Sequence, residues 1–285
     1  MKGFINLIKP TGMSSARAVS AVKRAFKVPC GHMGTLDPMA KGVLPVGISK
    51  TSRLFPFLLS KTKTYVAEFT FGYSTDTLDV TGAKTSETSF IPSLEEVKLA
   101  ASSFVGDIMQ IPPKISAKCV GGKRGYQLAR KGVDFELEPK KVTVRSIDVK
   151  GEKEKGVFEF EIVCGGGTYV RSLCRDIAEK CGSLAVMSAL DRTESGCFNY
   201  GNGVSFDEFV SSPEPEKFLI PADYAVNFEK LVLEETAAKK ILNGLFEKGD
   251  YKDGIYRVYC ASENDFWGVG EAKDGVLRIT SYVRD

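Results

Sequence analysis

Strand-like and helix-like segments follow one another along this chain without the regular strand–helix–strand rhythm of a parallel sheet. Alternation of apolar and polar residues predicts strands over residues 64–71, 142–149 and 157–164. Apolar residues at helical spacing predict helices over residues 14–27 and 169–180. A capping-box pattern at Ser93 and Glu96 predicts the start of another helix. This mixture favours an α+β fold over a doubly wound one.

A smaller second domain is predicted after residues 211–221, whose sequence S-S-P-E-P-E-K-F-L-I-P has the composition of a linker. Beyond it, the sequence predicts a helix that ends at Asn243-Gly244 and short strands at 255–260, 266–270 and 276–280. The predicted domains are therefore residues 1–215 and a β-rich domain over residues 221–285.

Glycine and proline punctuate residues 29–47, at Pro29, Gly31, Gly34, Pro38, Gly42, Pro45 and Gly47. Such punctuation predicts turns rather than one long regular element.

Charge is distributed unevenly along the chain. The first 60 residues contain nine basic residues and one acidic residue, Asp37, although the whole chain has 39 basic and 36 acidic residues. This excess suggests an anionic partner for the first part of the chain, with a chance scatter of solvated lysines as the alternative.

Several classes of site are disfavoured by the residues that are present. The single histidine, His32, excludes a multi-histidine metal site within one chain, and a Ser-His-Asp triad would have to use it. The seven cysteines include no C-x-x-C pair and predict reduced thiols. Residues 42–49 resemble a phosphate-binding P-loop, but Ile48 stands where that motif requires lysine. No G-x-G-x-x-G dinucleotide-binding motif occurs between a predicted strand and helix. We therefore predict no metal, no cofactor and no membrane segment, and a cytoplasmic location.

Asp37 is the acidic residue best placed for chemistry. It is surrounded by cations in sequence, and Pro38 restricts its backbone to extended conformations, which can fix the direction of its carboxylate. A carboxylate held in this way can act as a nucleophile. The alternative is an ordinary Asp-Pro turn at the surface.

The segment from Gly31 to Pro45 resembles the nucleophile motif of the TruB family of tRNA pseudouridine synthases. Further stretches resemble family motifs in the same order: Lys9-Pro10-Thr11-Gly12-Met13-Ser14-Ser15; Lys63-Thr64-Tyr65 with Gly72 to Asp79; Gln110-Ile111-Pro112-Pro113 with Ser116-Ala117 and Gly122 to Tyr126; and Gly167-Thr168-Tyr169-Val170-Arg171. The resemblance covers residues 1–200. It implies a mixed, mainly antiparallel catalytic sheet, followed by a PUA-like C-terminal domain.

The resemblance also implies three catalytic residues. Asp37 matches the family's nucleophile, Tyr65 matches a tyrosine that packs on the target base, and Arg171 matches an arginine that pairs with the nucleophile. The alternatives are a core aromatic for Tyr65 and, for Arg171, a surface cation paired with a residue such as Asp176.

A second set of residues is expected to bind the RNA. His32 matches a histidine associated with the flipped nucleotide, and Tyr169 and Leu190 match residues of the uracil pocket. Lys9, Lys123 and Arg124 are predicted phosphate contacts, the last two in an RNA-contacting insertion at about residues 110–135. The family usually has arginines where this sequence has Asp191 and Glu194, which puts substrate affinity in question.

The implied activity is conversion of uridine to pseudouridine at position 55, in the T loop of tRNA, by an enzyme that flips the base. No cofactor, membrane or obligate protein partner is expected, and the expected state is a monomer. The alternative is a tRNA-binding folding chaperone for which modification is incidental.

Overall fold

A computed structural model describes residues 2–58, 62–115, 137–242, 244–261 and 265–284, together with 119–120, 123–124 and 135. The chain packs as two compact units. The first comprises Met1–Pro38, Gly42–Lys61 and Ser195–Asp285, and the second comprises Met39–Lys41 and Thr62–Glu194. Among the described residues, no helix is long and apolar enough to span a membrane.

The described part of the first unit contains three α-helices: α1 (Ser15–Phe26), α4 (Phe206–Ser211) and α5 (Glu235–Leu242). Its strands are β1 (Gly3–Lys9), β2 (Cys30–His32), β3 (Lys41–Ile48, with Lys41 in the second unit), β13 (Phe198–Asn199), β14 (Val204–Ser205), β15 (Glu229–Leu233), β16 (Glu247–Lys248), β17 (Gly254–Cys260), β18 (Asp265–Lys273) and β19 (Val276–Tyr282).

The second unit contains two described α-helices, α2 (Leu94–Ser102) and α3 (Val170–Lys180). Its strands are β4 (Lys63–Phe71), β5 (Tyr73–Thr75), β6 (Lys84–Glu87), β7 (Gly106–Gln110), β8 (Cys119–Val120), β9 (Lys123–Arg124), β10 (Lys140–Glu154), β11 (Val157–Cys164) and β12 (Ala185–Ser195).

The main sheet of the second unit has the strand order β12-β4-β11-β10-β7. Strand β4 pairs antiparallel with β11 along its whole length, with Tyr65 opposite Ile162 and Phe69 opposite Phe158. The alternating residues Tyr65, Ala67, Phe69 and Phe71 are all buried, which confirms the predicted face of this strand. The capping box of α2 is also confirmed, because Ser93 accepts from the Glu96 amide and Glu96 accepts from the Ser93 amide.

Strand β3 is a correction to the prediction of turns over residues 29–47. This eight-residue strand runs antiparallel to β1 from Lys9↔Gly42 to Gly3↔Ile48. Its glycines accommodate close packing rather than turns: a Cβ atom at Gly47 would lie 3.0 Å from the Ser52 amide nitrogen. The buried residues Val43, Leu44, Val46 and Ile48 stabilise the strand despite its glycines and proline.

The C-terminal part is β-rich, as predicted, with a five-stranded sheet in the order β15-β17-β18-β19-β16. One face packs on α5 around the buried Trp267. The other contributes Phe266 and Val269 to a hydrophobic cluster that also contains Phe4 and Val43. This shared cluster explains why the first compact unit includes both ends of the chain.

Candidate active site

The loop that carries Asp37 lies between β2 and β3 in the first unit. Met33 and Leu36 are buried, whereas Asp37 is half-buried and the flanking Thr35 and Pro38 are exposed. The amide of Met33 donates to the Pro45 carbonyl at 2.9 Å, which fixes the start of the loop on β3. The loop therefore has an apolar anchor beneath it and keeps its carboxylate partly accessible.

The first residue of α1 and the segment that precedes it also fix this loop. The Ser15 hydroxyl donates to the Leu36 carbonyl at 2.8 Å and accepts from the Leu36 amide at 2.9 Å. The Gly12 amide donates to the Pro38 carbonyl at 2.8 Å, with Gly12 at a φ of 81° that favours glycine. These bonds fix the backbone on both sides of Asp37.

Lys9 contributes to the same brace from the protein interior. Its side chain is 0% exposed, and Nζ donates to the carbonyls of Met13 at 2.7 Å, Pro10 at 2.9 Å and Pro38 at 3.4 Å. A buried ammonium with backbone acceptors is a structural group, because a phosphate contact requires exposure to the RNA. This finding replaces the prediction of a phosphate contact at Lys9.

His32 is the last residue of β2, opposite Val46 of β3. Its side chain is half-buried, five residues before Asp37. The structure thus places both predicted site residues of this segment in one strand–loop element of the first unit.

Arg171 lies in the first turn of α3, in the second unit, and is 6% exposed. Its Nη1 atom lies 3.5 Å from Oδ2 of Asp79 and donates to the Thr77 carbonyl at 2.8 Å, and Nη2 donates to the Ile115 carbonyl at 3.2 Å. Asp176, the alternative partner, pairs instead with Arg175 at 2.6 Å. Arg171 is therefore a buried, oriented cation and not a surface one.

Asp79, which sequence reasoning did not assign to the site, holds Arg171 in place. It is 4% exposed, and its Oδ1 atom accepts from the Thr77 hydroxyl at 2.8 Å, the Thr81 amide at 2.9 Å and the Thr81 hydroxyl. Oδ2 is left to face Arg171. The sequence signal was present in the T-D-T-L-D turn, where an aspartate follows hydroxyl residues at turn spacing.

Gln110 is a second residue whose role sequence reasoning missed. Its buried side-chain amide donates to the Tyr169 carbonyl at 3.1 Å and accepts from the Tyr169 amide at 2.8 Å. This two-point contact fixes Tyr169 at the N-cap of α3. The Ser172 hydroxyl donates to the Ile111 carbonyl, so the Q-I-P-P segment holds the start of the helix that carries Arg171.

Tyr65 and Leu190 lie on the adjacent strands β4 and β12, and both are buried. Two contacts bracket their positions, since the Thr193 hydroxyl donates to the Thr64 carbonyl at 3.3 Å and that of Ser188 donates to the Glu68 carbonyl at 3.1 Å. The structure therefore brings Tyr65 and Leu190 to the same part of the sheet. Their burial is compatible with a core role as well as with a base pocket.

The comparisons with known proteins agree with this geometry. Residues 22–170 match the model for the N-terminal domain of TruB family pseudouridylate synthases, and residues 230–279 match the C-terminal domain of pseudouridine synthase II TruB. The chain is 36% identical over 282 residues to tRNA pseudouridine synthase B of Clostridium kluyveri, covering 96% of each chain. It is 37% identical over 285 residues to the protein of the same name from Aquifex aeolicus, covering 97% and 98%.

The chain belongs to the TruB family of pseudouridine synthases. It is therefore an enzyme, and pseudouridine synthases are isomerases.

Solved structures confirm the predicted fold for this TruB family member. A chain of a Cbf5-Nop10-Gar1 complex aligns with a TM-score of 0.69 at 26% identity, over 98% of this chain and 79% of the other. A chain of an H/ACA RNP bound to a substrate RNA containing 2′-deoxyuridine aligns with a TM-score of 0.71 at 22% identity, over 99% and 85%. The α+β catalytic fold with a β-rich C-terminal domain is shared with both.

The two acidic replacements in this TruB family member have partners in the second unit. Asp191 lies 3.5 Å from Nζ of Lys41, and Glu194 accepts from the Thr64 hydroxyl at 2.8 Å. Lys41, four residues after Asp37, is thus connected to β12 through Asp191. Both carboxylates therefore form local contacts within the second unit.

The predicted phosphate contacts Lys123 and Arg124 form the two-residue strand β9, opposite β8. Their side chains, and most of the predicted insertion at 110–135, lie outside the described residues.

Neither a metal site nor an activated thiol is indicated by the described part of this enzyme. No group of three or more potential ligands is found there that could hold a metal ion. Burial raises the pKa of the thiols of Cys164 and Cys174, which disfavours the reactive thiolate form. Neither of these two thiols is therefore a candidate nucleophile.

Proposed function

We propose that this enzyme converts uridine to pseudouridine in the T loop of tRNA, at position 55, with Asp37 as the nucleophile. The supporting observation is the Asp37 loop itself, where Ser15, Gly12 and Lys9 fix the flanking backbone while the carboxylate stays partly accessible. A nucleophile accelerates a reaction most when its direction is fixed before the substrate binds. The relatives match this chain over nearly its full length, and their names identify tRNA as the class of RNA.

The reaction is an isomerisation, so its atoms and electrons balance without an added reductant, oxidant or metal. The bond between uracil N1 and ribose C1′ breaks, the base turns, and a bond forms between C5 and C1′. The C5 proton is lost and N1 gains a proton. Asp37 forms the transient covalent bond, to the ribose or to the base, that retains the separated base and sugar.

The other predicted residues complete the proposal. Tyr65 packs on the target base and assists loss of the C5 proton, and Tyr169 and Leu190 line the uracil pocket. His32 stabilises the extruded nucleotide after the base has left its stack. Arg171 keeps the nucleophilic carboxylate ionised, and its burial with fixed donors suits a positive charge that must not move.

The test is tritium release from an unmodified tRNA transcript labelled at uridine C5. We expect release by the wild type, none by Asp37→Asn, and none from a transcript with cytidine at the T-loop position. Asp207→Asn, at an exposed aspartate of α4, is the matched control and is expected to keep wild-type activity.

Binding of the same tRNA by each variant separates the two candidate functions. Release by Asp37→Asn would refute the nucleophile assignment. A wild type that binds tRNA and accelerates its folding without releasing tritium would instead be the tRNA-binding chaperone, and the isomerase proposal for this substrate would fail.

A further inference from the structure

The cations of the first 60 residues divide into two groups in the structure. Five of the nine are held by acids or backbone carbonyls within the protein: Lys2, Lys9, Lys41, Lys50 and Arg53. The other four lie on α1 or at its C-terminal cap: Arg17, Lys23, Arg24 and Lys27. We call these four residues the α1 cation stripe.

All four residues of the α1 cation stripe are exposed. At 3.6 residues per turn, Arg17, Lys23 and Arg24 fall within an arc of about 120° on one side of the helix. The opposite side buries Ala18 and Val22. No acidic residue occurs anywhere in α1, so this face presents positive charge alone.

None of the four forms an ion pair or a side-chain hydrogen bond with any residue that the structure describes. Two exposed lysines on other helices are paired, in contrast: Lys98 lies 2.9 Å from Glu95 on α2, and Lys239 lies 2.8 Å from Glu235 on α5. The stripe therefore keeps its charge available to an external anion.

Acidic side chains are present on an element that packs against α1. Helix α4 contacts α1 through Phe26 and Phe209, whose ring centroids are 6.4 Å apart. It carries Asp207 and Glu208, which are exposed and unpaired among the described residues. These acids repel an anion from the α4 edge and leave the rest of the stripe accessible to one.

Helix stability explains only part of this charge. Lys23 and Arg24 lie in the last turn of α1, where cations interact favourably with the helix dipole. Arg17 lies in the first turn, where a cation is unfavourable and no acid compensates it. Helix α2, in contrast, begins with Glu95 and Glu96. The stability of the helix therefore does not explain the cation at Arg17.

The stripe starts next to the Asp37 loop, because Ser15 at the start of α1 is bonded to Leu36. With a rise of 1.5 Å per residue, Arg17 lies about 3 Å and Lys27 about 18 Å from Ser15 along the helix axis. A nucleic acid duplex presents about one phosphate charge per 1.7 Å of its axis. The positive charges of the stripe are therefore complementary to a run of phosphates that leads away from the target nucleotide, and the two have a similar length.

We propose that the α1 cation stripe binds the ribose-phosphate backbone of the substrate RNA outside the target loop. The inference rests on the proposed function, which makes that RNA a tRNA. Phosphate contacts position the RNA and contribute affinity without reading its sequence. The stripe is then a positioning surface that directs the RNA toward the Asp37 loop.

The test compares two triple variants with the same change in net charge. The first is Arg17→Gln with Lys23→Gln and Arg24→Gln, because glutamine preserves helix propensity. The matched control is Lys155→Gln with Lys180→Gln and Lys273→Gln, at exposed lysines that are not part of α1. Equilibrium binding of an unmodified full-length tRNA transcript is measured from low to high salt.

Each lost phosphate contact weakens binding by about 5-fold to 8-fold at 0.1 M salt, so the α1 variant, which loses three, is expected to bind about 100-fold to 500-fold more weakly. The slope of log K against log salt is expected to fall by about 2 to 3, and the control to bind like the wild type. Arg17→Gln alone, with a fold change of about 5 to 8, guards against a folding defect in the triple variant.

Equal salt slopes for the two triple variants, or a wild type that does not bind tRNA, would overturn the inference. Tritium release by the wild type reports separately on the proposed function. Different salt slopes without tritium release would support the RNA-binding role of the stripe and refute the proposed reaction. Tritium release with equal salt slopes would support the proposed reaction and refute the RNA-binding role of the stripe.

Discussion

Two predicted catalytic residues, Asp37 in the first unit and Arg171 in the second, are fixed by different kinds of interaction. In the first unit, the Asp37 loop is fixed by a hydroxyl, a backbone amide and one buried ammonium, all bonded to backbone groups of the loop. In the second unit, Arg171 is fixed by a buried carboxylate, Asp79, which is itself fixed by hydroxyl and amide donors.

This difference follows from what each brace has to hold. Asp37 is half-buried, and the backbone on both sides of it is fixed by Ser15, Gly12 and Lys9. Arg171 carries its charge into a buried position, where a fixed carboxylate compensates it. The first brace consists of hydrogen bonds to the loop backbone, and the second adds a buried ion pair to hydrogen bonds with two backbone carbonyls.

The largest effect is therefore expected from breaking the buried pair. Arg171→Met leaves the carboxylate of Asp79 buried without its cation, which costs about 3–5 kcal/mol of folding free energy. Urea denaturation measures this loss, and tritium release is expected to be abolished. The double variant Arg171→Met with Asp79→Asn is expected to recover part of the stability and none of the activity. A double variant no more stable than the single one would contradict the pairing.

Lys9→Met tests the buried ammonium of the first brace. It removes a charged donor from the carbonyls of Pro10, Met13 and Pro38, and we expect a loss of about 1.5–3 kcal/mol. The salt dependence of tRNA binding is expected to stay unchanged, because the group is buried. Unchanged stability with a salt slope lower by about 0.7 to 0.9 would instead identify Lys9 as a phosphate contact.

Two adjacent serines separate bracing of the loop from stabilisation of the helix. Ser15→Ala removes both bonds to Leu36, whereas Ser14→Ala removes the cap on the Arg17 amide. Each change is expected to cost about 1 kcal/mol in thermal or urea unfolding. Only Ser15→Ala is expected to lower the single-turnover rate on saturating tRNA. Equal rates for the two variants would show that the Leu36 bonds do not position Asp37.

Local pattern and long-range contact explain what the sequence could and could not predict. Helix α1 and strands β4 and β11 were predictable, because their buried faces repeat at helical or strand spacing. The braces were not, since the Ser15–Leu36 bonds span 21 residues and the Gln110–Tyr169 bonds span 59. No periodicity connects such partners. Strand β3 was missed because burial overrides the turn preference of its glycines.

The smallest expected effect belongs to the exposed pair of Lys41 and Asp191, whose side chains are 57% and 21% exposed. A double-mutant cycle with Lys41→Met and Asp191→Asn is expected to give a coupling of about 0.2–1 kcal/mol in urea unfolding, as for other exposed pairs. Asp191→Asn alone also removes a negative charge and releases Lys41, so tighter tRNA binding with a steeper salt dependence is expected. A coupling well above 1 kcal/mol would show that charge, and not only backbone bonding, secures the segment after Asp37. The two sets of contacts would then differ in the strength of their charge interactions and not in kind.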